Sequence, residues 1–200
     1  MFRRSLPTAL VRALALGAAS LMAACSSTQP ARFHSLAALP GAAPAAAAPA
    51  AATPWVVDLG PVTVPAGVDQ PQWVVRLPDG SLRVLEQERW VAPLRDEVRA
   101  ALLEALRLRT GAIDARSVPA PATGTVRVRV DVQRFETLAG EGAWIEAGWS
   151  VAPAGFACRV TLREAAGPGD PLALAEAHRR AVMALAERIG QSARDGRCPG

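Results

Sequence analysis

Lysine and tyrosine are absent from this 200-residue chain, and histidine occurs only as His34 and His178. These gaps narrow the available chemistry. The sequence also contains no G-x-S-x-G nucleophile elbow, no H-E-x-x-H zinc motif and no glycine-rich phosphate loop. His34 lies beside an Ala/Pro-rich stretch, a poor place for a rigid catalytic site. His178 is flanked by Arg179 and Arg180 and reads as a helix-surface or core-edge residue. Neither histidine has ligand spacing to a cysteine, so a metal centre is not expected. The acid pairs Glu86/Glu88 and Asp96/Glu97 have arginines close by and read as solvated faces. Asp96 and Glu97 also fall in the first turn of a predicted helix, where negative charge is favoured anyway. The expectation is a protein without catalysis, metal or bound cofactor. Three of the 22 basic residues lie in the first 24 positions and none of the 18 acidic ones does. The remaining chain therefore carries about one net positive charge, too little to point to a nucleic-acid partner.

What is present begins with the first 25 residues. Arg3, Arg4 and Arg12 precede or open an apolar run, Ala13–Met22, which ends in Leu21-Met22-Ala23-Ala24-Cys25. A charged start, a short apolar stretch and small residues before a cysteine form the layout of a secretory signal. The run is about half the roughly 20 residues a membrane-spanning helix needs. Cys25 directly after Ala23-Ala24 resembles the lipobox of bacterial lipoproteins, with Met22 where Leu is more usual. The expectation is a signal peptide over 1–24, removal before Cys25, and an N-acyl diacylglycerol group on Cys25. Buried acyl chains contribute about 0.8 kcal/mol per CH₂, enough for stable anchoring when three are present. Ser26 follows the cysteine, where inner-membrane lipoproteins commonly carry Asp. In a Gram-negative cell this implies the outer membrane, facing the periplasm.

Two further cysteines, Cys158 and Cys198, would then mature in an oxidising compartment, where such pairs commonly join. Closing that loop would stabilise by roughly 3–4 kcal/mol in the chain-entropy model. The alternative is a buried Cys158 and a free thiol on a loose tail.

Along the chain, Ala37–Pro54 is nearly all Ala and Pro, and its prolines prevent a stable helix. Composition alone makes 26–54 a tether. Trp55–Val64 reads as a strand broken at Gly60-Pro61. Gln72–Leu77 and Leu82–Leu85 read as a hairpin turning at Pro78-Asp79-Gly80. A helix then runs from Pro93 to Gly111, with Leu94, Val98, Ala101, Leu102, Ala105 and Leu108 on one stripe. Val126, Val128, Val130 and Val132 alternate with polar residues in the clearest half-buried strand. Ala143–Val151 and Phe156–Leu162 follow, joined at Pro153-Ala154-Gly155. Asp170 and Pro171 open a last helix whose stripe runs through Leu174, Val182, Leu185 and Ile189. This order predicts an α+β domain, a mainly antiparallel sheet with two main helices packed on one face. Trp144 and Trp149 fall on opposite faces of one strand, because five is an odd offset. Leu103 points away from the first helix stripe. With Trp73 or Trp90 near the same helix, it is the sequence candidate for an oligomer or docking interface.

Taken together, these segments resemble the PqiC family of ABC-type transport auxiliary lipoproteins. The resemblance rests on Arg32-Phe33-His34-Ser35-Leu36 as a first strand, on Asp58–Pro65, on Asp69–Arg76 and on Arg89–Leu94 opening the helix. Val128–Glu136 and the terminal Ala181–Ile189 complete it. His34, Trp73 and the long Ala/Pro stretch depart from the family pattern. The resemblance implies a domain over 31–200, with 25–30 the lipidated N-terminus and 37–54 a loop inside the domain, where composition would have made it a linker. It also implies a non-catalytic outer-membrane partner, and a homo-oligomer, for a periplasmic MCE-domain protein of an ABC-type lipid transport system. A stand-alone lipid carrier and an envelope scaffold unrelated to transport remain the alternatives.

Overall fold

The computed structural model describes residues 29–37, 54–118, 124–167 and 170–200. The signal segment, Cys25 and nearly all of the 37–54 stretch lie outside those residues. Within the unit Ala31–Gly200, eight strands and two main helices follow one another in chain order. They are β1 (Arg32–His34), β2 (Trp55–Thr63), β3 (Gln72–Arg76), β4 (Leu82–Trp90), α1 (Leu94–Thr110), β5 (Ala112–Asp114), β6 (Val126–Leu138), β7 (Gly142–Ala152), β8 (Phe156–Ala165) and α2 (Pro171–Asp195).

The thirteen-residue β6 organises the sheet. One of its edges pairs antiparallel with β7 from Arg127 to Leu138, and β7 pairs antiparallel with β8. Its other edge is shared. The first half pairs parallel with β2, and the last two residues pair parallel with β3. β5 extends the sheet beyond β2, while β4 and then β1 extend it beyond β3. The long ladders are antiparallel, but β1–β4, β2–β5, β2–β6 and β3–β6 are parallel, so the sheet is mixed. Short-range hairpin signals reveal only the antiparallel pairs. Parallel partners are brought together by α1 and by loops that carry no register signal of their own.

Two bulges set which side chains face the helices. β2 slips between Leu59 and Val62, at Gly60-Pro61, so burial passes from Val57 and Leu59 to Val62. β6 slips at Gln133, between Val132 and Arg134. Before the slip Val128, Val130 and Val132 are buried; after it the buried residues are Phe135 and Thr137. One extra residue reverses the parity of everything that follows.

Both helices cover one face of the sheet. Pro93 stands at the N-cap of α1, and its end is Gly111 in the left-handed conformation, φ 70°. Asp170 accepts a hydrogen bond from the Leu172 amide at 2.9 Å to cap α2. Leu94, Val98, Ala101, Leu102 and Ala105 are buried on α1, joined by Leu106. Leu108 is exposed instead, and Leu103 is half-buried against the core. The broader face arises because α1 packs against the sheet and, beside it, against α2. The two helices approach closely where Gly190 meets Thr110: a Cβ at Gly190 would lie 2.4 Å from the Thr110 Cγ2. Among the described residues, no helix is long and apolar enough to cross a membrane.

Candidate functional site

Trp73 and Trp90 do not form a surface. They are 2 % and 3 % exposed, respectively, because β3 and the extended β4 turn these positions toward the helices. Trp90 stands edge-on to Trp73 at 4.7 Å, and His34 stacks on Trp73 at 4.8 Å. Phe135 stacks on His178 at 4.3 Å on the far side of the cluster. An interface role for Trp73 and Trp90 is thereby corrected, since their apolar area is used inside the monomer, whereas Leu103 is half-buried against the core.

His178 is fully buried, not at the helix surface. Burial pushes its pKa down to about 3, so the ring is neutral. Its Nε2 lies 2.8 Å from the Thr137 hydroxyl, while Nδ1 has no partner among the described residues. A neutral ring that donates through Nε2 and leaves Nδ1 bare fits both observations. Two carboxylates assigned to solvated faces are buried too. Glu88 meets Arg32 and His34, the latter at 2.6 Å. Burial would raise this carboxyl, but the hydrogen bonds from His34 and Arg32 outweigh it and hold it below the usual carboxylate range. Glu97 accepts from the Leu36 amide at 2.8 Å and the Ser35 hydroxyl at 2.9 Å. The Arg179 guanidinium donates to the Ser35 carbonyl at 3.0 Å. These charges hold β1 and the residues after it onto the sheet and α1. Sequence spacing could not show this, since the partners are more than fifty residues apart. No group of three His, Cys, Asp or Glu side chains able to hold a metal occurs among the described residues.

Cys158 and Cys198 are joined in a disulfide with Cα atoms 5.4 Å apart. It ties the segment beyond α2 to β8, at the edge of the sheet.

The opposite face of the sheet carries no helix among the described residues, and its composition divides along its width. At one end, Leu82 is 59 % and Val84 42 % exposed. They pair with Arg76 and Val74. Pro65 and Val68 border the same region, forming a groove of about 420 Å³. In the middle, Arg76 makes a bidentate pair with Glu136 at 2.8 and 2.9 Å. That hydrogen bonding holds the Glu136 carboxyl below its ordinary value. Trp144 lies between two guanidinium groups, Arg134 at 4.1 Å and Arg163 at 3.9 Å from its ring. Each such contact is worth about 0.5–1 kcal/mol at an exposed site. At the far end, Arg127, Arg129 and Arg159 are exposed. Among the described residues this face has no covering element, and it is apolar at one side and cationic at the other. Its signals were present in the sequence as Trp144 opposite Trp149 and as the arginines alternating with the valines of β6. Neither could be recognised as one surface without the register that joins β3, β6, β7 and β8.

Residues 38–190 match the family model described as an ABC-type transport auxiliary lipoprotein component. Among solved structures, a crystal structure of an uncharacterised protein superposes with a TM-score of 0.60 at 16 % identity, covering 69 % of this chain and 91 % of that one. A Xanthomonas campestris protein of the DUF330 family model superposes with a TM-score of 0.57 at 20 % identity, covering 74 % of this chain and 90 % of that one. At these identities the two structures establish the shared fold. No curated protein matches the chain significantly.

Proposed function

This chain belongs to the family of ABC-type transport auxiliary lipoprotein components, and on that premise we propose that it is a non-catalytic outer-membrane lipoprotein docking an MCE-domain conduit of a lipid transport system. Lipid on Cys25 would fix it to the membrane, and the free sheet face would receive the partner. The family match is the observation that carries the reading. The face supports it through its chemistry. Leu82 and Val84 offer apolar area that the monomer leaves in water, and Trp144 with its flanking arginines has the composition enriched at protein interfaces. A homo-oligomer fits the same reading, each copy presenting one such face.

A pulldown with the tagged lipoprotein from detergent-solubilised envelopes tests this. An MCE-domain protein should co-purify with the natural chain. It should be lost from a Leu82→Glu/Val84→Glu variant whose melting temperature is unchanged, since both side chains already face solvent. Recovery of phospholipid without a protein partner would favour a carrier, and recovery of a different envelope protein would favour a scaffold. Either result would overturn the docking role.

A further inference from the structure

The cationic end of the open face contains a hollow of about 280 Å³. Register places six residues in two rows across three strands. Arg129 pairs with Ser150, which pairs with Ala157; Asp131 pairs with Gly148, which pairs with Arg159. The middle positions are small, so the floor is low, and Arg129 and Arg159 rise at opposite corners. Gln133, the bulge residue of β6, closes one side.

Gly148 is the informative residue. It has an ordinary strand conformation, and an added Cβ would meet nothing nearer than the Cys158 carbonyl at 3.5 Å and the Gln133 amide nitrogen at 3.8 Å. Neither backbone nor packing demands glycine there, although glycine weakens a strand interior. A ligand approaching the sheet closely is one of the standard reasons for such a glycine. The arginines add a second observation. Neither Arg129 nor Arg159 has an ion pair or hydrogen bond among the described residues, whereas Arg76 and Arg134 on the same face are both paired with Glu136. Asp131 stands at a third corner, but it already accepts from Thr63 and, at 3.3 Å, from Gln133.

We propose that this hollow is an anion site for a phosphate group, held by Arg129 and Arg159, with the Ser150 hydroxyl and the Gln133 amide as neutral donors. Guanidinium groups suit phosphate because their planar forks offer paired donors to its oxygens. The hollow lies just below the roughly 300–1,000 Å³ of drug-sized sites, a size for a head group and not for acyl chains. Asp131 at the rim favours a phosphate whose neighbouring group donates a hydrogen bond. Free phosphate and a phospholipid head group share this chemistry. The proposal does not rest on the docking role, because its probes are small molecules.

The test uses the full lipidated chain in neutral detergent. Titrations compare inorganic phosphate, glycerol 3-phosphate and dihexanoyl phosphatidylglycerol, monitored by calorimetry at low salt. Saturable binding of at least one probe is expected. It should weaken at least tenfold in Arg129→Gln/Arg159→Gln and in Gly148→Val, which fills the hollow, but less than twofold in Arg127→Gln, which removes a charge from the same face outside it. Tighter binding of glycerol 3-phosphate and the short-chain lipid identifies a head-group site; equal or tighter binding of inorganic phosphate identifies a free-phosphate site. Absence of saturable binding to all three probes overturns the proposal. Equal losses in all three variants do so as well, since they would report diffuse charge. Unchanged melting temperatures separate any loss of binding from misfolding.

Discussion

His178 gives the domain a built-in sensitivity to acid. The unfolded chain takes up a proton on this ring below about pH 6.5, while the folded chain does not until about pH 3. Stability is therefore full above pH 6.5 and is lost as pH falls toward 3, by about 1.4 kcal/mol for each pH unit within that window. His178→Gln should lower stability at pH 7.5 through loss of the Phe135 stack. It should also flatten the decline between pH 6 and 5, read as urea midpoints at each pH. An unchanged slope would exclude His178 as its source. The paired Glu88 carboxylate, held low by its partners, acts in the same direction but at lower pH. The Cys158–Cys198 bond closes a separation of 40 residues. Reduction should therefore lower stability by about 2–4 kcal/mol, and alkylation in denaturant should label both cysteines only after reduction. Labelling of periplasmically matured protein without reduction would show that the pair is free in the cell. At this scale the sequence was informative about which residues are chemically special and poor about burial. His178, Glu88 and Glu97 all look like surface residues by their neighbours in the chain. Each is buried by a partner on another element.

At the scale of elements, the helix–helix seam is decided by a single atom. Gly190 lacks the carbon that would run into Thr110 on α1, at 2.4 Å from Cγ2 and 2.9 Å from Cβ. Gly190→Ala should gain about 1 kcal/mol of helix propensity. Displacing packed helices costs about 1–3 kcal/mol, so the net effect should be a lowered melting temperature. Thr110→Ser removes the nearer carbon while keeping the hydroxyl that bonds the Leu106 carbonyl at 2.5 Å. Combined with Gly190→Ala, it should restore part of the loss. Additive losses would mean that the seam is not governed by this contact. Helix limits, the hairpin turn at Pro78-Asp79-Gly80 and the β6 alternation were legible because their signals are local. The parallel pairings and the parity change at Gln133 were not, since both are consequences of which strands meet. For the same reason the α1 spacing does not show that Leu106 is buried and Leu108 exposed. A single stripe suits a helix covered by one surface, whereas the sheet and α2 both cover α1.

For the whole molecule, a lipid on Cys25 would be chemically separate from the domain. Arg32, the first residue of β1, lies seven positions after Cys25, a span of at most about 25 Å when extended. A lipid on Cys25 would thus keep β1 near the membrane without taking part in the core that Glu88 and Glu97 help to close. The expectation follows that Cys25→Ala leaves a domain with the natural urea midpoint that no longer fractionates with membranes. Fractionation of osmotically released periplasm, followed by a sucrose gradient, checks both halves of the statement. Sedimentation of the variant with the outer membrane would show that something other than the lipid holds it there. Partner capture by Leu82 and Val84 would be one source, and the Leu82→Glu/Val84→Glu changes placed in the same background should then release it. Retention of both Cys25→Ala and the triple variant Cys25→Ala/Leu82→Glu/Val84→Glu on the membrane would remove the lipobox reading altogether. A soluble variant that still captures its partner from solubilised envelopes would instead assign recognition to the domain and attachment to Cys25.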